Sequence, residues 1–124
     1  MFNSVDITGR IANDIVTTHP KDDLSRTEFR LYALKDSSKL KDESAIPVVA
    51  FNGVGLSMQE RFHKGDTVRV QGRIRYRTWT SAQGEPRSAY DVIVNQGKVM
   101  SYGKLGREAL DAREKAATPE VVVQ

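Results

Sequence analysis

In residues 67–79 arginine recurs at positions 69, 73, 75 and 77, and the chain's one tryptophan follows at 79. Side chains alternate between the two faces of a strand, so Arg69, Gln71, Arg73, Arg75, Arg77 and Trp79 share one side. Val68, Val70, Gly72, Ile74 and Tyr76 share the other, which reads as a core stripe. The first set is a row of planar guanidinium groups ending in an indole. Guanidinium forks grip phosphate, and an indole offers a flat face to a nucleobase. An edge strand kept soluble by charge is the plainer reading. The row suits an unpaired polynucleotide better, because its charges share a sign and acidic residues are scarce nearby in the sequence.

The charge distribution points the same way. The whole chain, 124 residues, carries a net charge of only +3. Within residues 61–87, however, Arg61, Lys64, Arg69, Arg73, Arg75, Arg77 and Arg87 stand against Asp66 and Glu85 alone, while residues 1–60 are net acidic and residues 88–124 balance. A molecule with one basic region fits a polyanion site.

Other chemistries lack their residues. Absence of cysteine excludes disulfides, thiolate metal sites and a cysteine nucleophile. His19 and His63 are far apart in sequence and read as a turn residue and a solvated cap, so no metal site is expected. No phosphate-cradling glycine loop, nucleophile elbow or metal-ligand spacing occurs, so neither catalysis nor a cofactor is expected. No apolar run has membrane-spanning length and no secretion signal opens the chain, which makes a cytoplasmic location the expectation.

The elements that must position the row follow from periodicity. Val5, Ile7, Gly9 and Ile11 alternate with polar residues, predicting a first strand with a bulge or tight bend at Gly9, continued over residues 15–18. Residues 27–34 form a second strand with Phe29, Leu31 and Ala33 on one face and Arg30 and Tyr32 on the other. A polar loop over residues 36–44 leads to a third strand at residues 45–51, with Pro47 near its start or at an edge. Val54, Met58 and Phe62 at four-residue steps predict a short helix stopped at Gly65. The arginine strand is fourth, and a turn at residues 81–86 joins it to a fifth at 87–95, with 97–103 as a turn or short extension. Five strands with one helix between the third and fourth is the layout of the OB-fold, an all-β Greek-key barrel whose strand face and loops bind oligonucleotides. Residues 1–103 make this domain. Residues 105–117 favour a helix with a thin apolar stripe, in a tail spanning 104–124 that either docks on a neighbouring subunit or frays.

At this level of detail the chain resembles the bacterial single-stranded DNA-binding protein family over about residues 2–103. The resemblance rests on Phe2-Asn-Ser-Val-Asp-Ile-Thr-Gly-Arg10, Val48-Val-Ala-Phe-Asn52, Phe62-His-Lys-Gly-Asp66, Val70-Gln-Gly-Arg-Ile74, Arg77-Thr-Trp-Thr80 and Asp91-Val-Ile-Val-Asn95, in that order and spacing. It implies an OB barrel, assembled as a homotetramer with a dimer as the alternative, that wraps unpaired DNA without reading its sequence. By the same resemblance Trp79 and Phe51 match stacking aromatics, and Lys64, Arg75 and Arg77 match phosphate contacts. Arg73, Arg69 and Arg30 extend the cationic surface. Two aromatic positions differ: Ala45 stands where one opens the third strand, and Ser37 or a neighbour where one closes the second. Tyr32, beside Arg30, partly compensates. The family's acidic C-terminal tip, which recruits partner enzymes, has no counterpart in Val121-Val-Val-Gln124. That difference favours an alternative function, an OB-fold adaptor of primosome or mobile-element type with weak single-strand binding. Phe51 is as readily a core residue as a stacking one.

Overall fold

The computed structural model describes residues 3–33 and 45–117, with side chains through residue 115. The expected loop at 36–44, the Ser37 position and the terminal residues 120–124 lie outside the described residues. The element order is β1 (Val5–Ile11), β2 (Val16–Lys21), β3 (Leu24–Ala33), β4 (Ala45–Phe51), α1 (Asn52–Arg61), β5 (Thr67–Thr80), β6 (Pro86–Ser101) and α2 (Lys104–Ala117).

The strands lie in the order β1-β5-β6-β4-β3-β2, and an additional β1–β3 pairing closes the ring. β1 and β2 both pair antiparallel with β3, so they are two parts of one bent strand interrupted at residues 12–15. Taken together they give five long strands, and the fold is the OB barrel. The β4–β6 pairing is parallel, through Val48↔Val92 and Val49↔Ile93, and α1 supplies the crossover between the third and fourth long strands.

The alternation of β3, β4, β5 and β6 sends Phe29, Leu31, Val48, Ala50, Val68, Val70, Val92 and Val94 into one core. Met58 of α1 and Phe62 just after it close the barrel, and the Phe62 ring meets Phe29 edge-on at 6.1 Å between centroids. The Val54, Met58, Phe62 spacing expected of a helix therefore serves as a plug. Among the described residues no helix is long and apolar enough to cross a membrane.

Two expectations need correction. Gly9 holds no bulge. It pairs in register with both Val68 and Ala33, and a Cβ there would lie 2.5 Å from the Tyr32 carbonyl oxygen, so the bare Cα lets β1 approach β3 where the barrel closes. Register shifts fall instead on the β5–β6 pairing, at Thr67/Val68 and Gln71/Gly72, and on the β2–β3 pairing between Thr18 and Lys21. Second, Ile74 and Tyr76 leave the core stripe: Tyr76 is 57% exposed, because the β5–β6 hairpin runs past the end of the barrel. There its ring packs on Tyr90 at 5.0 Å between centroids. Of the turn or short extension expected at 97–103, the structure has the extension: the fifth long strand continues through residues 97–101, since β5 offers it partners as far as Thr67↔Ser101.

Candidate nucleic-acid interface

Cross-strand partners point to the same side of a sheet. Arg73 faces Ile93, which faces Val49, which faces Glu28. Two residues along each strand, Arg75 faces Asp91 and Arg77 faces Ala89, Phe51 faces Arg26, and Arg30 faces Pro47. Trp79 faces Arg87 at the hairpin end, and Tyr32 sits between Ala45 and Arg10. One outer face, spanning β5, β6, β4 and β3, thus gathers Trp79, Arg77, Arg75, Arg73, Phe51, Arg30 and Tyr32. It is the reverse of the core-facing side.

The indole of Trp79 is 44% exposed, and the Arg77 guanidinium carbon lies 5.1 Å from its ring centroid. Arg75 stands similarly over Phe51 at 5.7 Å. A cation over an aromatic face holds both in place while leaving the opposite ring face open. Phe51 is half-buried and is the extended residue immediately before α1. The chain turns sharply after it: Asn52 adopts φ 51°, and its Oδ1 accepts a hydrogen bond from the Ser25 backbone N–H at 3.0 Å. That left-handed conformation favours asparagine over most residues, and it fixes the angle at which Phe51 leaves β4.

Carboxylates scarce along the sequence are brought in by strand pairing. Asp91, only 2% exposed, accepts hydrogen bonds from Arg75 Nε at 3.1 Å and Nη2 at 2.8 Å. Arg77 Nε lies 3.1 Å from the same Asp91 Oδ2, an ion pair without hydrogen-bond alignment. Two guanidiniums share one carboxylate, so the cluster keeps one unit of positive charge and its arginines are held against the sheet. Arg73 makes no ion pair among the described residues. Asp91→Asn removes the anion from beneath two cations and is expected to lower unfolding free energy by about 1–2 kcal/mol in denaturant titration. An unchanged midpoint and slope would mean the arginines are held by something else.

Arg69 has a different environment. It forms a two-pronged pair with Asp6 of β1, Nε to Oδ1 at 2.9 Å and Nη2 to Oδ2 at 2.6 Å. Those hydrogen bonds hold the Asp6 carboxyl below its ordinary range and raise the Arg69 guanidinium above its own. A lowered carboxylate supports the folded state above its ordinary value and loses that support as pH falls through the lowered one. Both groups are solvent-exposed, so salt screens the pair. Lys64 lies away from the row, in the loop between α1 and β5, beside Arg10 and Tyr32.

The sequence reading missed Asp91 and Asp6. The signal for Asp91 was present: counting outward from the turn at Ser81 and Glu85 pairs Thr80 with Pro86 and so places residue 91 opposite Arg75. Asp6 gave no such signal, because its pairing with β5 is set by barrel closure.

Comparison with known proteins bears on this arrangement. A family model described as "Single-strand binding protein family" matches residues 2–100. The crystal structure of a mitochondrial single-stranded DNA binding protein from S. cerevisiae, Rim1, is similar in fold, with TM-score 0.66 at 14% sequence identity. The match covers 83% of this chain and 99% of that one.

Proposed function

The chain belongs to the single-strand binding protein family, and on that footing we propose that it binds unpaired DNA without regard to sequence. In this reading bases stack on Trp79 and Phe51, with Tyr32 as a third platform, while Arg73, Arg75, Arg77, Arg30 and Lys64 neutralise phosphates. Arg69 contributes to the field more than to direct contact, because Asp6 already occupies its fork. What most supports the reading is the half-open indole of Trp79 lying in line with a cationic row. A duplex keeps its bases stacked inside and cannot offer them to these rings, whereas a flexible strand can.

The protein acts as a homo-oligomer, a tetramer in the proposed form, protecting single strands in replication, recombination or repair in the cytoplasm. It carries out no catalysis. The adaptor reading shares the fold but not the tight binding.

Anisotropy titrations of labelled oligo(dT), oligo(U) and duplex at two ionic strengths test this. Expected is binding to oligo(dT) far tighter than to duplex, with log K falling by about 0.7 per neutralised phosphate for each log unit of salt. Equal affinity for duplex would contradict the proposal. Micromolar or weaker oligo(dT) binding by a dimer would favour the adaptor.

A further inference from the structure

Helix α2 begins beyond the residues that the family model matches, yet it is not a detached tail. Its start is fixed by Asp66, which is fully buried. Asp66 Oδ1 accepts a hydrogen bond from the Gly103 backbone N–H at 2.8 Å, and Oδ2 accepts one from the His63 N–H at 3.0 Å. A Cβ on Gly106 would collide with that carboxylate, so glycine at this position lets the first turn of the helix seat on it. The loop carrying Lys64 is pinned in turn. Gly65 N–H donates to the Ile11 carbonyl at 2.9 Å, and Ile11 N–H donates to the Asp66 carbonyl at 2.9 Å.

These bonds bring side chains from four segments around one concavity of about 400 Å³: Arg10 of β1, Tyr32 of β3, Lys64 of the loop, and Lys104 and Leu105 of α2. No acidic side chain lines it, and none of its three cations is ion-paired among the described residues. Tyr32 presents a partly open ring, and Leu105 an exposed apolar edge. Arg10 and Tyr32 are in register, and Tyr32 continues the outer face that carries Arg30.

We infer that this concavity is an additional subsite for the same polynucleotide, in which Lys104 of α2 joins Arg10 and Lys64 in holding phosphates while a base rests on Tyr32. The inference rests on the single-strand-binding reading. Three unpaired cations with no carboxylate call for an anion, and the open ring between them calls for an anion that carries a flat group. Continuity with the strand face makes this the next nucleotides of a strand already bound there. Helix α2 thereby lengthens the binding surface past the barrel.

The test is the salt dependence of oligo(dT) binding by the full chain, followed by anisotropy, with Trp79 emission read in parallel. Lys104→Gln is expected to reduce the magnitude of the slope of log K against log salt by about 0.7, one phosphate contact, and to leave the Trp79 signal at saturation as in wild type. Lys115→Gln, at the far end of the same helix, is expected to leave the slope unchanged. A wild-type slope for Lys104→Gln would overturn the inference, as would an equal loss in Lys115→Gln, which would reveal a general charge effect. Failure of the underlying reading looks different: wild-type protein would then show neither salt-dependent binding nor any change in Trp79 emission. Matching thermal midpoints and far-UV circular dichroism for both variants ensure that α2 is still seated.

Discussion

Trp79→Ala is expected to weaken oligo(dT) binding by about 1–3 kcal/mol, roughly 5- to 140-fold, with little change in thermal stability. The size follows from what the indole does in place. Being 44% exposed near the end of the hairpin, it contributes little to the core, so its removal leaves no internal cavity. Its loss costs a stacking platform and also the surface over which Arg77 is held at 5.1 Å. Trp79→Phe retains an aromatic face and should recover much of the affinity. Equilibrium titration at a fixed moderate salt, alongside a melting curve, distinguishes the cases. Wild-type affinity in Trp79→Ala would remove the ring from the account. A large drop in melting temperature would make it a packing residue.

Replacing Asp66 should produce the largest loss of stability outside the apolar core. Asp66→Ala leaves the backbone N–H groups of His63 and Gly103 without their acceptor in a site closed to water, at about 1–3 kcal/mol for each donor. The effect has a structural signature, because the Gly103 bond fixes the first turn of α2. Helical signal in far-UV circular dichroism should fall together with the denaturation midpoint. Asp66→Asn keeps one carbonyl-type acceptor but turns an N–H₂ toward the second donor, so an intermediate loss is expected. A midpoint for Asp66→Ala within error of wild type would show that the helix start is held by other contacts.

Much of this molecule is readable from residue periodicity, for a definite reason. β3 and the first half of β5 are buried on one side, and β4 likewise except at the outward but covered Val49, so Phe29, Leu31, Val48, Ala50, Val68 and Val70 alternate with polar or outward residues. The plug helix shows itself through Val54, Met58 and Phe62, which must all face the barrel. The arginine row is legible on the same ground, since it is the complement of that core stripe. Periodicity fails where the chain leaves the barrel. Ile74 and Tyr76 keep the apolar rhythm of β5 but extend into a hairpin that runs past the barrel and leaves them exposed, so alternation alone cannot tell core from solvent there.

Pairings made by topology are the other blind spot. The carboxylates that meet the arginines come from Asp91 across a hairpin and from Asp6 across the barrel seam. A local count of charges around residue 75 contains neither. The same holds for α2, whose composition announced a marginal helix. Its attachment depends on a buried aspartate 37 positions before Gly103. In the candidate site, Trp79, Phe51, Arg73, Arg75, Arg77, Arg30 and Tyr32 do share one outer face, as alternation implied. What alternation could not supply was the division of the arginines into one without an ion pair among the described residues, two sharing a carboxylate and one closed in a pair.

The most direct test of the central claim is the emission of Trp79 during titration with oligo(dT), a clean signal because it is the chain's single tryptophan. The expected result is quenching that saturates at a defined ratio of nucleotides to protein and reverses on adding salt. Emission that stays constant while anisotropy reports a saturated complex would contradict it, because the bases would then be held somewhere other than on the indole.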